Sequence, residues 1–198
     1  EGHNYSKNTG CAATVTLGPK ICCIDCEFVE TVDGEQVASI GMYVQNKDYY
    51  FKIKPSSKVT DYITEITGID ENTKYDMDFD ELIIFLTNFI NERDILLGHH
   101  LYGDLKNLNF YHKNIIDTCL MFPTPDGPPF YYSLKLLAKM HLKIDIQNGI
   151  HNPVEDAKTA YDLVKFGLDR NYTKLNWMNF GQTFIVSKEN ALAIAQEL

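Results

Sequence analysis

The sequence predicts an α/β fold, in which helices flank a five-stranded mixed sheet. Three observations predict it: apolar runs typical of strands come first, a tight turn joins two of them, and later strands alternate with segments of helical periodicity. The turn is Asp33-Gly34, a dipeptide that favours a hairpin between antiparallel strands. The sheet is therefore expected to open as an antiparallel meander and to continue through strands that helices connect.

The meander comprises the first three predicted strands. Each is an apolar run that few polar residues interrupt, which favours a place in a sheet. Pro55 ends the third strand, because proline cannot donate a backbone hydrogen bond to a neighbouring strand. The three segments are 21–29 (ICCIDCEFV), 36–44 (QVASIGMYV) and 49–54 (YYFKIK).

The second half alternates helices with two short strands. In the first of these helices, apolar side chains recur every three or four positions, which indicates one buried stripe. The other helices and the two strands are predicted from shorter stretches of apolar residues. Helices are expected at 78–92, 101–110, 132–140 and 154–168, and strands at 95–98 and 114–118.

The length of 198 residues fits one domain with appended ends. Residues 1–20 are predicted to be a polar N-terminal lead-in, 21–170 the folded domain, and 171–198 a C-terminal extension that packs on the core. No apolar run approaches the roughly 18 residues that a membrane-spanning helix needs, so no membrane partner is expected.

The charge and the cysteines narrow the function classes. A net charge of −9 argues against a broad basic surface that coats duplex DNA, but it suits a site that binds cations through clustered carboxylates. Five cysteines are an odd number and do not complete a disulfide framework. Cys23 and Cys26 lie three apart in a strand, so they point to opposite faces and cannot share a metal. Buried thiols in a reducing compartment are expected, which places the protein inside the cell, in the nucleus or the cytoplasm.

Two acidic residues interrupt the first predicted strand. Asp25 and Glu27 lie two positions apart, so both side chains leave the same face. Carboxylates on an otherwise apolar strand are costly unless cations accompany them. Asp104 follows the strand at 95–98, near the carboxyl end where α/β sheets build sites, although alone it also suits an ordinary acid near a helix N-terminus. His100, in the preceding turn, is expected to pack or to hydrogen-bond within that turn.

The third acidic segment, HNPVEDA, begins a predicted helix. Asn152 is a suitable N-cap, Pro153 suits the first helical position, and Glu155 completes a capping-box pattern. Glu155 is therefore expected to cap the helix and not to bind a metal. His151 then lies just outside the helix, and Asp156 lies in its first turn, where it can face a metal.

Together these side chains suit phosphodiester hydrolysis with two divalent cations about 3.5–4 Å apart. Oxygen ligands from the protein favour Mg²⁺ or Mn²⁺ over zinc. One cation would activate a water molecule and the other would stabilise the leaving 3′ oxygen. The reference pKa of histidine, about 6.5, suits the deprotonation of that water at neutral pH, which is the role expected for His151.

These segments resemble the DEDDh 3′–5′ exonucleases, the superfamily of RNase T and the proofreading exonucleases, which have an RNase H-like fold. The resemblance covers about residues 21–168, and 133–157 are especially similar to the REX-type RNA exonucleases and to the catalytic subunit of the poly(A)-shortening complex. It implies hydrolysis of single-stranded RNA from the 3′ end to nucleoside monophosphates, with His151 as the general base. The implied metal ligands are Asp25, Glu27, Asp104 and Asp156.

The resemblance also implies substrate contacts. In related enzymes a loop like the ITGI stretch stacks on the terminal base, while the residues alone support a buried turn at Gly68 nearly as well. REX-type enzymes usually carry methionine in place of Phe28, and ITGI is closer to the proofreading DNA enzymes, so single-stranded DNA stays an alternative substrate. A nuclease-like scaffold that binds RNA without cutting it is a further alternative, although all five key positions are filled. The predicted substrate contacts are Phe28, Ile66, Thr67, Gly68 and Ile69.

Overall fold

The computed structural model describes residues 19–169. The predicted extension at 171–198 and residues 1–18 of the predicted lead-in lie outside these residues. The described part contains one mixed sheet with helices on its faces, so the predicted fold class is confirmed. The strands are β1 (Ile21–Thr31), β2 (Gly34–Val44), β3 (Lys47–Lys54), β4 (Val59–Asp61), β5 (Met77–Asp78), β6 (Ile95–Gly98) and β7 (Ile115–Asp117).

The sheet has the order β5-β3-β2-β1-β6-β7, and β4 pairs with the end of β1. Strand β1 pairs antiparallel with β2 and parallel with β6, so it lies where the meander meets the parallel half. The Asp33-Gly34 turn closes the first hairpin, and Gly34 adopts a positive φ of 104°. The predicted count of five strands is too low by two. Strands β4 and β5 have three and two residues with one apolar side chain each, so they lack the apolar run that indicated the other strands.

The helices also differ from their predicted bounds. The helix predicted at 101–110 ends at Asn107, and Asn109 has a positive φ of 46°. The helix predicted at 132–140 begins after Ser133, whose side chain caps it, and continues as a π-helical turn at Ala138–Leu142. The helices are α1 (Thr64–Thr67), α2 (Phe79–Phe89), α3 (Leu101–Asn107), α4 (Thr118–Met121), α5 (Leu134–Leu137) and α6 (Pro153–Asp169).

The core lies on both faces of the sheet, because successive residues of β1 point in opposite directions. Ile24 belongs to a cluster that packs against α2 and α3, whereas Cys23 belongs to a cluster that packs against α5 and α6. Asp25 and Glu27 alternate with the first cluster and so share the face that α6 covers. No helix among residues 19–169 combines the length and the apolar character that crossing a bilayer requires.

Candidate active site

Strand β1 supplies the first two acidic side chains of the site. Asp25 lies opposite Gly41 of β2, and Glu27 lies opposite Ser39, so these positions share one face of the sheet. Glu27 is buried and Asp25 is partly buried. A bulge follows Glu27, where the register with β2 shifts. The carboxylates therefore stand on the regular part of a central strand, which fixes their backbone.

Helix α6 brings the third carboxylate to the same face. Asn152 Oδ1 accepts hydrogen bonds from the backbone N–H groups of Val154 (3.1 Å) and Glu155 (3.3 Å), which is the predicted N-cap. Asp156, in the first turn, is only 1% exposed. Glu155 is exposed, and its carboxylate makes no hydrogen bond to Asn152 among residues 19–169, so only the asparagine half of the predicted capping box forms.

Gly41 allows this helix to approach the sheet. A Cβ atom at Gly41 would lie 2.2 Å from the carbonyl carbon of Pro153 and 2.3 Å from the backbone nitrogen of Val154. Both contacts are with backbone, which cannot rotate aside. Because Gly41 is opposite Asp25, the same close approach places the start of α6 over the acids of β1. No local pattern in the sequence indicates that glycine is needed at this position.

Helix α3, which follows β6, supplies Asp104. Its start is held by Asp117, whose carboxylate accepts hydrogen bonds from the backbone N–H groups of His100 (2.9 Å) and Leu101 (2.9 Å). His100 itself has a positive φ of 60°, and its ring packs edge-on against Tyr131. This agrees with the predicted turn and packing role of His100. Asp104 is buried by this arrangement.

His151 lies on the loop before α6 and completes the cluster. Its backbone N–H donates a 2.8 Å hydrogen bond to the carbonyl of Ile66, so the ITGI stretch anchors it. Its Nδ1 atom is 3.4 Å from Glu27 Oε1, and its side chain is 27% exposed. One potential ligand atom from each of Glu27, His151 and Asp156 lies within 4.8 Å of the others. The histidine side chain is more open to solvent than that of Glu27, which is 10% exposed.

Burial and the charges of neighbouring acids raise the pKa of three of the site carboxylates, those of Asp25, Glu27 and Asp104. For Asp25 the largest cause is burial, followed by the charges of Asp104, Asp156 and Glu27. Burial, followed by the charge of Asp156, raises the pKa of Glu27 to about 7. Burial comes first for the raised pKa of Asp104 as well, then the charges of Asp117 and Glu27, partly offset by the backbone amide of Cys26. Buried carboxylates that are this close together can all be ionised only when cations are bound beside them.

The donor set fits divalent cations. Asp156 Oδ1 is buried and has no hydrogen-bond partner among the described residues, so it lacks the partner that a cation would provide. The carboxylates offer only oxygen, which suits Mg²⁺ or Mn²⁺. Among residues 19–169 one group qualifies as a metal-binding cluster on distance, and it comprises Glu27, His151 and Asp156. Asp25 and Asp104 fall outside this group, although the charges of Asp104, Asp156 and Glu27 act on Asp25.

The predicted substrate contacts lie beside this cluster and differ in exposure. Ile66 is 39% exposed, whereas Thr67 and Ile69 are buried. Gly68 has a positive φ of 66° and ends α1, as expected for a special turn. Phe28 is partly buried and packs against the core cluster of α2 and α3. Of the ITGI residues, the side chain of Ile66 is therefore the most accessible to a nucleotide, and a contact with substrate stays a prediction for all five.

The chain is similar to proteins named as RNA exonucleases. RNA exonuclease 3 of Schizosaccharomyces pombe is 34% identical over 156 residues, which cover 76% of this chain and 28% of that protein. RNA exonuclease 1 of Saccharomyces cerevisiae is 31% identical over 169 residues, which cover 83% of this chain and 30% of that protein. The chain thus spans less than a third of the length of these relatives. No family model matches it.

Solved structures share the fold. The catalytic unit of Neurospora crassa Pan2, with its protease and nuclease domains, matches 87% of this chain and 31% of that chain, with a TM-score of 0.69 and 25% identity. The Pan2 pseudoubiquitin hydrolase–RNA exonuclease module of S. cerevisiae in complex with A7 RNA matches 80% of this chain and 31% of that chain, with a TM-score of 0.65 and 25% identity. The resemblance predicted from the sequence is confirmed.

Proposed function

We propose that this chain, a homologue of RNA exonucleases 1 and 3, hydrolyses single-stranded RNA from its 3′ end and releases nucleoside monophosphates. The observation that carries the proposal is the buried Oδ1 atom of Asp156, which has no hydrogen-bond partner among the described residues and lies in a cluster with Glu27 and His151, next to Asp25, on which the charges of Asp104, Asp156 and Glu27 act. Two divalent cations, Mg²⁺ or Mn²⁺, would activate water and stabilise the leaving oxygen when bound. The residues proposed to hold them are Asp25, Glu27, Asp104 and Asp156.

His151 is proposed to act as the general base. Its Nδ1 atom lies 3.4 Å from Glu27 Oε1, so the carboxylate orients the ring and leaves Nε2 free to take a proton from the attacking water. The partial exposure of this side chain gives the proton a route to solvent. The hydrogen bond from the His151 N–H to the Ile66 carbonyl keeps the ring beside the carboxylates.

RNA is favoured as the substrate by the relatives. Two of them are named RNA exonucleases, and one similar structure holds an A7 RNA. The exposed side chain of Ile66 and its neighbour Ile150, which is 64% exposed and lies against Gly68, could stack on a terminal base of any sequence. The free, buried cysteines of the described residues are compatible with a reducing compartment inside a cell.

The test is digestion of matched RNA and DNA oligomers that carry a label at the 5′ end. With Mn²⁺, the protein should shorten the RNA one nucleotide at a time from the 3′ end, and chelation should stop the reaction. Asp25→Asn serves as the inactive control. A clear preference for DNA would overturn the substrate assignment, and binding of RNA without any cleavage would favour the non-catalytic scaffold.

A further inference from the structure

The two carboxylate oxygens of Asp156 have different surroundings. Oδ2 accepts a 2.9 Å hydrogen bond from Gln147 Nε2. Oδ1 is buried and has no hydrogen-bond partner among the described residues. A buried carboxylate oxygen without a partner is costly, so Oδ1 is the atom that a bound cation would complete. The contact with Gln147 therefore determines which oxygen is turned towards the acidic cluster.

The backbone of Gln147 has a conformation that residues other than glycine rarely adopt. Its φ is 55°, in the left-handed region. The ammonium group of Lys135 donates hydrogen bonds to the carbonyl of Gln147 (2.8 Å) and to Oδ1 of Asn148 (3.1 Å). Such a conformation persists only where surrounding contacts impose it, and Lys135 provides two of these contacts.

The residues before Gln147 attach the same segment to the core. Ile146 is buried in the cluster formed with α5 and α6. Lys139 and Asp145 form an ion pair of 3.2 Å, but both side chains are exposed, so this pair adds little. Burial of Ile146 and the two hydrogen bonds from Lys135 therefore fix the position from which the Gln147 side chain reaches Asp156.

The hydrogen-bond donor to Asp156 Oδ2 is an uncharged amide, and this affects the charge that Asp156 offers to cations. The amide of Gln147 satisfies Oδ2 without adding positive charge, so the carboxylate keeps its full negative charge for cations. A lysine or arginine here would form an ion pair with Asp156 and compete with those cations. Side chains that orient a metal ligand in this way typically change metal affinity by about 10–100-fold when they are replaced.

We propose that Gln147 is a positioning residue for metal binding: it holds Asp156 with Oδ1 facing the cations, and Lys135 holds Gln147 in place. This inference rests on the proposed function only in taking Asp156 as a metal ligand. It does not depend on whether the substrate is RNA or DNA.

The test is titration of the purified full chain with Mn²⁺ in the absence of nucleic acid, followed by calorimetry or by the electron paramagnetic resonance of free Mn²⁺. Gln147→Met keeps a side chain of similar length but removes the donor, and it should weaken Mn²⁺ binding about 10–100-fold. Lys139→Met is the matched control, because Lys139 forms an exposed ion pair with Asp145 of the same segment but makes no hydrogen bond to Gln147 or Asp156 among the described residues. It should bind Mn²⁺ within about 2-fold of the wild type. Melting temperatures without metal show whether each variant is folded.

Lys135→Met gives a second route if Gln147→Met fails to fold, since it leaves Gln147 unchanged and removes its anchor. It should weaken Mn²⁺ binding in the same direction and by less. Wild-type affinity in Gln147→Met, or in Lys135→Met where that variant alone folds, would overturn the inference. Asp156→Asn is the reference, and if it binds Mn²⁺ like the wild type, both the metal assignment and the inference fail. Weakened binding in Gln147→Met together with a wild type that leaves RNA uncut would overturn the proposed function and retain the inference.

Discussion

The acidic side chains and the histidine of the site are held in different ways. Asp25 stands on the central strand and Asp156 on the first turn of a long helix, and α6 packs so closely that only glycine fits at position 41. His151 stands on a loop, and one backbone hydrogen bond to Ile66 fastens it. Regular elements thus fix the groups proposed to bind cations, and a short turn fixes the group proposed to move a proton. The more exposed group is also the one that must exchange protons with solvent.

Replacing one of the acidic residues should have the largest effect on RNA cleavage. Asp25→Asn removes a ligand charge from the centre of the cluster, so turnover of a labelled RNA should fall below detection. The fold should survive, because the substitution also removes repulsion between Asp25 and its three acidic neighbours. Circular dichroism and a melting curve check the fold. Measurable cleavage by both Asp25→Asn and Asp156→Asn would exclude the assignment of these residues as ligands.

His151→Ala should have the next largest effect. Loss of a general base typically costs about 10²–10⁴ in rate, and kcat should fall while KM stays similar. The measurement is steady-state cleavage of an RNA oligomer at saturating Mn²⁺. A change confined to KM would instead indicate that His151 positions the substrate.

Gly41→Ala tests how firmly α6 fixes its carboxylate. The new methyl group would meet the backbone of Pro153, so the helix must shift, and stability should fall by about 1–3 kcal/mol. Activity should fall as well, because Asp156 moves with the helix. Gly103→Ala is the matched control, since a Cβ atom there would meet nothing within 4 Å. If urea unfolding gives equal stabilities for the two variants, then α6 does not pack tightly against β2 at Gly41.

The smallest expected effect is the pH dependence of stability without metal. Glu27 has a pKa raised from 4.5 to about 7, so the folded chain binds more protons than the unfolded chain between these values. Stability in a chelator should therefore decrease as pH rises through this window and level off above it. Glu27→Gln should flatten this decrease, as should Mn²⁺ in the wild type. A metal-free stability that rises with pH over the same window would contradict the electrostatic argument.

Much of the site could be predicted because its signals are local. Two acids on one strand share a face by geometry, and the N-cap at Asn152 fixes the phase of the helix that carries Asp156. Apolar runs similarly located the other five strands, and hydrophobic periodicity located the long helices. These features depend on residues that are close together in the sequence.

The remaining features depend on contacts between residues that are distant in sequence or on very short elements. The need for glycine at position 41 arises only when α6, more than one hundred residues later, packs on β2. The hydrogen bond from Gln147 to Asp156 requires an unusual backbone conformation that no residue preference indicates. Strands β4 and β5 contain one apolar residue each, so no apolar run marks them in the sequence.

The carboxylates are proposed to bind cations, whereas His151 is proposed to move a proton. The most direct test of this difference is to measure both Mn²⁺ affinity and RNA cleavage in Asp156→Asn and in His151→Ala. Asp156→Asn should lose both, whereas His151→Ala should keep Mn²⁺ affinity within about threefold of the wild type and lose about 10²–10⁴ in cleavage rate. The distances alone place His151 with Glu27 and Asp156 in a group that could hold one ion. If His151→Ala loses as much Mn²⁺ affinity as Asp156→Asn, then the histidine is a metal ligand and the division of roles proposed for this site is wrong.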